Sequence, residues 1–140
     1  MALILHIDTD AYSAYMRGQD DAVSVIDRSP AIALSPVVIG ELKAGFALGS
    51  RRERNLLQLR RVLESPRLLV PPIEEGVTDN YARIYKQLRE DGKPIPTNDM
   101  WIAACALGEE EALFTLDGHF DSIKGLRVIH GKGDFESLLK

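Results

Sequence analysis

Asp8 closes the apolar run Leu3-Ile4-Leu5-His6-Ile7, and Asp117 closes the run Ala112-Leu113-Phe114-Thr115-Leu116. Glu41 and Asp99 fall on the apolar stripes of two predicted helices, and no Arg or Lys adjoins any of these acids. An ionised carboxylate taken out of water is costly unless something pairs with it. Two such charges about 4 Å apart repel by roughly 4 kcal/mol at an effective dielectric near 20. If the fold gathers these acids, the simplest partner is a divalent cation. Mg²⁺ or Mn²⁺ fits an all-oxygen set, because Mg²⁺ keeps several waters and binds through one or two carboxylates plus substrate phosphate. Such a site activates water for attack on phosphorus and stabilises the leaving oxygen.

Each acid also has a plain structural explanation. Asp8 and Asp117 suit turns or N-caps after strands, where a nearby helix dipole contributes roughly 0.3 to 1 kcal/mol. Asp99 follows Thr97-Asn98 and reads as part of a helix cap, whereas Glu41, well inside its helix, has the weakest account of this kind. The joint pattern argues for chemistry: chance would have to turn every one of these acids toward one end of the same sheet.

The elements that must position them follow from periodicity and punctuation. Strands are predicted at about Leu3 to Ile7, Ala31 to Leu34, Arg67 to Val70, Ala112 to Leu116 and Arg127 to Ile129, with helical patterns between them. Short apolar runs alternating with helices indicate an α/β fold, a parallel sheet covered on both faces. Ser35-Pro36 reads as an N-cap with Pro at the first helical position, opening a helix from Val37 to Leu48. Further helices are expected over Arg51 to Glu64, over Glu74 to Glu90 with a stop near Asp91-Gly92, and over Asp99 to Leu107, capped by Thr97-Asn98. Ligands of open α/β sheets bind beyond the carboxyl ends of the strands, which is where Asp8 and Asp117 lie. Asp99 shares a helix face with Ile102, Ala103 and Ala106, and Glu41 shares one with Val37, Val38, Gly45 and Leu48. Both acids are expected to point inward.

Composition sets the outer bounds. The 140 residues, without repeat or linker, read as one unit over 1–140. No apolar run approaches the roughly 20 residues of a membrane span. Arg17 interrupts any signal-peptide reading, so a cytoplasmic location is expected. The single cysteine, Cys105, excludes an internal disulfide and a cysteine zinc cage, and it sits in an apolar run as a buried thiol. His6, His119 and His130 are scattered, with no His-x-x-x-His pair, which disfavours zinc hydrolysis. A net charge of −4 argues against a protein that coats nucleic acid, yet it leaves room for an enzyme that grips phosphate through metal and a local basic patch.

Four segments together carry a resemblance: His6-Ile7-Asp8-Thr9-Asp10, Ser35-Pro36-Val37-Val38-Ile39-Gly40-Glu41-Leu42, Pro96-Thr97-Asn98-Asp99-Met100-Trp101-Ile102-Ala103-Ala104, and Phe114-Thr115-Leu116-Asp117-Gly118-His119-Phe120. In this order, across essentially the whole chain, they resemble the PIN-domain family, and more narrowly the VapC toxins of type II toxin-antitoxin systems. The resemblance implies a three-layer α/β/α domain around a mostly parallel sheet of about five strands. It implies a metal-dependent endoribonuclease that cuts structured cellular RNA, often tRNA or ribosomal RNA, and is silenced by a cognate VapB-type antitoxin. A homodimer is implied as well. Carried over by position, Asp8 and Asp99 match the main metal ligands, and Glu41 and Asp117 match the acids that complete the catalytic site. Asp10 is given no catalytic role, and Asp121 is a candidate outer acid or simply part of a solvated face.

Other residues have two readings each. Arg51, Arg54 and Arg61, with Gln58, line one side of a predicted helix whose other side carries Leu56, Leu59 and Leu63. They are either a solvated face or a contact for phosphate backbone. The hydroxyls of Thr9 and Thr115 are placed to orient a carboxylate, though β-branched residues suit strands anyway. Trp101 and Tyr81 read as core or interface anchors, and Phe120 as packing. Tyr12, Tyr15, Met16, Val23 and Ile26 are either core or partner surface. His130-Gly131-Lys132-Gly133 lacks the context of a phosphate-binding loop.

Two rival functions remain. Asp8-Thr9-Asp10 satisfies the Asp-x-Asp start of an aspartyl-phosphate phosphohydrolase, with Asp8 as nucleophile and Asp10 as acid and base. Against it, position 12 is Tyr, no well-placed Lys follows a central strand, and Glu41 would be idle. A receiver domain fails similarly, since Val70 is followed by Pro71-Pro72 where a phospho-accepting Asp is needed. The other rival is a PIN-like interaction module without activity, against which stands the presence of all the acids.

Overall fold

In the computed structural model, residues 3–139 are described; Met1, Ala2 and Lys140, the ends of the expected 1–140 unit, lie outside the described residues. Five short strands form one sheet in the order β3-β2-β1-β4-β5: β1 (Ile4–Ile7), β2 (Ala31–Ala33), β3 (Leu68–Leu69), β4 (Glu111–Phe114) and β5 (Val128–Ile129). Every neighbouring pair is parallel. The helices are α1 (Thr9–Met16), α2 (Asp20–Asp27), α3 (Pro36–Leu48), α4 (Arg52–Leu63), α5 (Glu75–Glu90), α6 (Thr97–Cys105) and α7 (Lys132–Leu139), with a 3₁₀ turn at Gly118–Ser122. The architecture is the expected three-layer α/β/α arrangement. Sheet and helices bury Leu5, Ile7, Leu34, Leu113, Phe114 and Phe120 in one continuous core.

The strand order matters for chemistry. The chain builds outward from β1 to β2 to β3, then returns to the other side of β1 for β4 and β5. Connections leaving β1 and β4 therefore diverge, and the crevice at their carboxyl ends is where an open α/β sheet binds ligands. Asp8 follows β1 directly, and Thr115 and Asp117 follow β4.

Local signals were mostly as read. Ser35 caps α3, its Oγ accepting the Val38 N–H at 3.3 Å, with Pro36 as the first helical residue. Gly92, at φ +67°, ends α5. The Lys93 N–H reaches back to the Leu88 carbonyl and that of Gly92 to Arg89, a paired closure that needs the left-handed residue.

Several details differ. The strand expected over Ala112 to Leu116 stops at Phe114, and that over Arg67 to Val70 contracts to Leu68–Leu69. Helix α6 starts at Thr97 behind Pro96, so Thr97-Asn98 lie in its first turn and do not cap it, and it ends at Cys105 before Leu107. The stripe drawn through Glu41 also fails beyond one turn: Leu48 is 92% exposed and Gly45 is exposed, because this face of the C-terminal part of α3 is uncovered, while Phe46 still packs against the core.

Candidate active site

Asp8 is the N-cap of α1 and the most buried of the acids, at 4% exposure. Its Oδ1 accepts the Ala11 N–H at 2.8 Å, and its Oδ2 accepts the Thr115 hydroxyl at 2.5 Å. The cap reading and the site reading therefore hold together. Two donors occupy one lone pair on each oxygen and leave the others uncommitted. Burial, with the like charges of Asp10 and Asp99 adding to it, outweighs these bonds and pushes the Asp8 carboxyl up to about 6.

Asp99 sits in the first turn of α6, where the helix dipole favours an anion. Its Oδ2 lies 2.7 Å from His119 Nε2. Burial is the main cause that raises its pKa, with His119 acting against it and the charges of Glu41 and Asp117 adding to it. Asp117 follows β4, with its backbone N–H donating to Thr115 Oγ1 at 3.0 Å and its Oδ1 3.4 Å from His119 Nδ1. Glu41, one and a half turns into α3, takes the Thr9 hydroxyl on Oε1 at 2.5 Å and the Asn98 amide on Oε2 at 3.1 Å. α3 packs against both α1 and α6, which is how Thr9 and Asn98 reach it.

The sheet end thus brings all the expected acids into one electrostatic neighbourhood, in two tiers. Asp99, Asp117 and His119 each offer a ligand atom, and these lie within 4.8 Å of one another. Asp8 and Glu41 flank this group, each tethered by a threonine hydroxyl. The donor set fits a divalent ion: several carboxylate oxygens, partly withdrawn from water, with no Lys or Arg paired to any of them among the described residues.

The PIN domain sequence pattern matches residues 5–126. The chain belongs to the PIN-domain family. Among relatives of this PIN domain, Ribonuclease VapC4 of Mycobacterium tuberculosis is 30% identical over 96 residues, spanning 69% of this chain and 74% of the relative. Ribonuclease VapC5 of the same organism is 28% identical over 123 residues, spanning 85% and 87%. In three dimensions the PIN domain is similar to the structure of VapBC2 from Rickettsia felis bound to a DNA fragment from its promoter. The TM-score is 0.80 at 25% identity, covering 91% of this chain and 98% of that one. The resemblance to VapC proteins read from the sequence is borne out.

Residues around the site sort by what they touch. His119 escaped the sequence reading: it looked scattered because its partner Asp99 is 20 residues away, although its position two after Asp117 was a usable signal. Asp121 pairs with His130 Nε2 at 2.9 Å, and His130 Nδ1 lies 3.1 Å from the Thr115 carbonyl, so Asp121 meets the site only through that ring. Asp10 is exposed. Phe120 is fully buried, as expected of packing. Tyr81 and Trp101 stack at 4.0 Å between α5 and α6. Burial pushes the Cys105 thiol up to about 11, consistent with an inert side chain.

Two surfaces complete the picture. On α4, Arg51, Arg54, Arg60 and Arg61 are exposed and form no ion pair with a described residue. Tyr12, Tyr15, Met16 and Ile26 line an apolar cleft of about 190 Å³ with Ile32, Leu34, Val62 and Leu68. The Tyr12 hydroxyl there is buried without a hydrogen-bond partner. No helix among the described residues is long and apolar enough to cross a membrane.

Proposed function

We propose that this PIN domain is a Mg²⁺-dependent endoribonuclease, the toxin of a type II toxin-antitoxin system, acting in the cytoplasm on structured cellular RNA. The observation that carries this reading is the gathering of Asp8, Glu41, Asp99 and Asp117 at the crevice between β1 and β4. Their backbone and side-chain tethers span three helices and both central strands.

Asp8 and Asp99 are the principal ligands in this account, and Glu41 and Asp117 complete the set, with Mn²⁺ able to replace Mg²⁺. When bound, the ion supplies Lewis-acid activation of water and neutralises charge on the phosphodiester. The chain supplies orientation. Thr115 fixes Asp8 relative to Asp117, and Thr9 with Asn98 fixes Glu41 relative to Asp99. The unpaired arginines of α4 are suited to hold phosphate backbone at a distance from the reacting group.

A VapB-type antitoxin and a second copy of the chain are the proposed partners. The similarity to VapBC2 supports the first, as does the apolar cleft with its unpartnered Tyr12 hydroxyl. The exposed apolar end of α3 at Leu48 supports the existence of a covered surface. A phosphohydrolase using Asp8 as nucleophile is disfavoured, since it would leave Glu41, tethered beside Asp99 by Thr9 and Asn98, without a role.

Brief induction of the chain in bacteria, followed by sequencing of RNA ends, tests the reading. Growth arrest with new ends at a few discrete sites is expected, and neither in Asp8→Ala or Asp99→Ala. Arrest without new RNA ends, or equal cleavage by both variants, would overturn it.

A further inference from the structure

The segment that follows β4 carries Asp117 and then enters the 3₁₀ turn at Gly118–Ser122. One side chain just past β5 touches this segment twice. His130 Nδ1 lies 3.1 Å from the Thr115 carbonyl, and Nε2 lies 2.9 and 3.1 Å from the two carboxylate oxygens of Asp121. The first contact continues the sheet. The Thr115 N–H donates to the Ile129 carbonyl at 3.0 Å, and the ring then supplies a donor to the Thr115 carbonyl beyond the last residue of β5. The second contact reaches the turn. A rigid imidazole thus anchors the chain on both sides of Asp117, at residues 115 and 121, and Thr115 is also the residue whose hydroxyl bonds Asp8.

The partners fix the protonation of the ring. A carbonyl and a carboxylate only accept hydrogen bonds, so both ring nitrogens must donate, which only the imidazolium does. A neutral ring keeps one N–H and turns a lone pair toward one of these acceptors, and that contact is lost. The charged groups around the ring are Asp121 from the turn, Asp134 and Glu136 from α7, Asp21 from α2, and Lys132, whose ammonium is held by Asp20 at 2.6 Å. Burial works against the cation, yet the hydrogen bond and charge of Asp121, with the Thr115 carbonyl and Asp134 adding to them, outweigh it and raise the His130 pKa above the usual 6.5.

Resting on the ribonuclease reading, we propose that His130, as an imidazolium, is a positioning residue for cleavage: it clasps Thr115 to Asp121 and so holds Asp117 in the site. The clasp is closed below pH 6.5, the ordinary value, and opens as pH rises through the raised value of the folded chain.

The competing account makes the pair of His130 and Asp121 a surface contact without bearing on the site. Asp121→Asn separates the two, because an asparagine amide donates to a neutral ring as readily as it accepts from a charged one. The full chain is followed in two ways, by the nuclear magnetic resonance titration of isotopically labelled histidine and by the pH profile of RNA cleavage in Mg²⁺. We expect the His130 midpoint to lie above 6.5 in the wild type and to fall in Asp121→Asn. The wild-type kcat should decline as pH rises through that midpoint, whereas Asp121→Asn should retain kcat and lack the decline. Below the midpoint His130→Ala should lower kcat by about tenfold with little change in KM for RNA. Lys132→Gln, which removes only the contact with Asp20, should keep the wild-type profile. A midpoint that Asp121→Asn leaves unmoved, a decline that persists in that variant, or wild-type kcat in His130→Ala overturns the proposal and spares the ribonuclease reading. No cleavage by the wild type at any pH overturns both.

Discussion

Thr115 links the carboxyl ends of β1 and β4 through its side chain: its hydroxyl donates to Asp8 Oδ2 at 2.5 Å while the same oxygen accepts the Asp117 N–H at 3.0 Å. One fully buried hydroxyl therefore sets the position of two acids 109 residues apart, at 8 and 117. Thr115→Val keeps the shape and removes both bonds. The buried Asp8 oxygen and the Asp117 N–H lose their partner, which should cost about 1–3 kcal/mol in urea unfolding at pH 8. Thr115→Ser should recover most of the loss. Equal stability of the Val variant and the wild type would show that the hydroxyl is incidental.

Asp8 gives the stability of the chain a definite pH dependence. Its carboxyl moves from 3.8 to about 6 on folding, chiefly through burial. Below pH 3.8 both states are protonated and burial carries no penalty from this group. Between 3.8 and 6 the folded state binds the proton more tightly, so stability falls as pH rises. Above 6 the full penalty of about 3 kcal/mol applies. Without divalent ions, Asp8→Asn should therefore melt higher than the wild type at pH 8, with the difference vanishing toward pH 4. Added Mg²⁺ should stabilise the wild type and not the variant. A difference that persists at pH 4 would contradict this assignment.

The same shift governs loading of the site. A carboxylate must be ionised to hold a cation, so Mg²⁺ affinity measured calorimetrically should strengthen as pH rises through about 6. A flat profile between pH 5 and 8 would argue that Asp8 is not a ligand.

Glu41 depends on two donors, Thr9 and Asn98, that come from different helices. Removing both, in Thr9→Val/Asn98→Ala, should weaken Mg²⁺ binding by about 10- to 100-fold. The melting temperature should change little, since Asn98 is exposed and Thr9 only half-buried. Unchanged affinity would place Glu41 outside the ligand set.

On α4, neutralising Arg51, Arg54 and Arg61 together should weaken RNA binding and flatten its salt dependence by about 0.7 in log–log slope for each lost phosphate contact. Identical slopes would return these residues to a solvated face.

The sequence announced the sheet well because its strands are short apolar runs ending in polar residues, and the parallel pairing follows from the helices between them. Asp8, Glu41, Asp99 and Asp117 were readable for a related reason: strand ends and helix faces are local properties, and local spacing predicts them. Local spacing does not say which contacts form across the fold. That Asn98 would bond Glu41 instead of capping α6, and that His119 would turn to Asp99, depends on how α3, α6 and the turn after β4 pack. The outward run of α3 past Leu42 was hidden for the opposite reason. Its Gly45 and Leu48 continue the face of Val37 and Val38 by spacing, and nothing within the helix tells that the covering layer ends there.

The central claim is that the acids at the β1–β4 crevice act through a divalent ion to cut RNA. The most direct measurement is the rate of RNA cleavage by the purified chain with Mg²⁺, with EDTA, and with Asp8→Ala or Asp99→Ala in place of the wild type. Each change should slow cleavage by about two orders of magnitude or more, with circular dichroism unchanged. Cleavage that continues in EDTA, or at the wild-type rate in both variants, would contradict it.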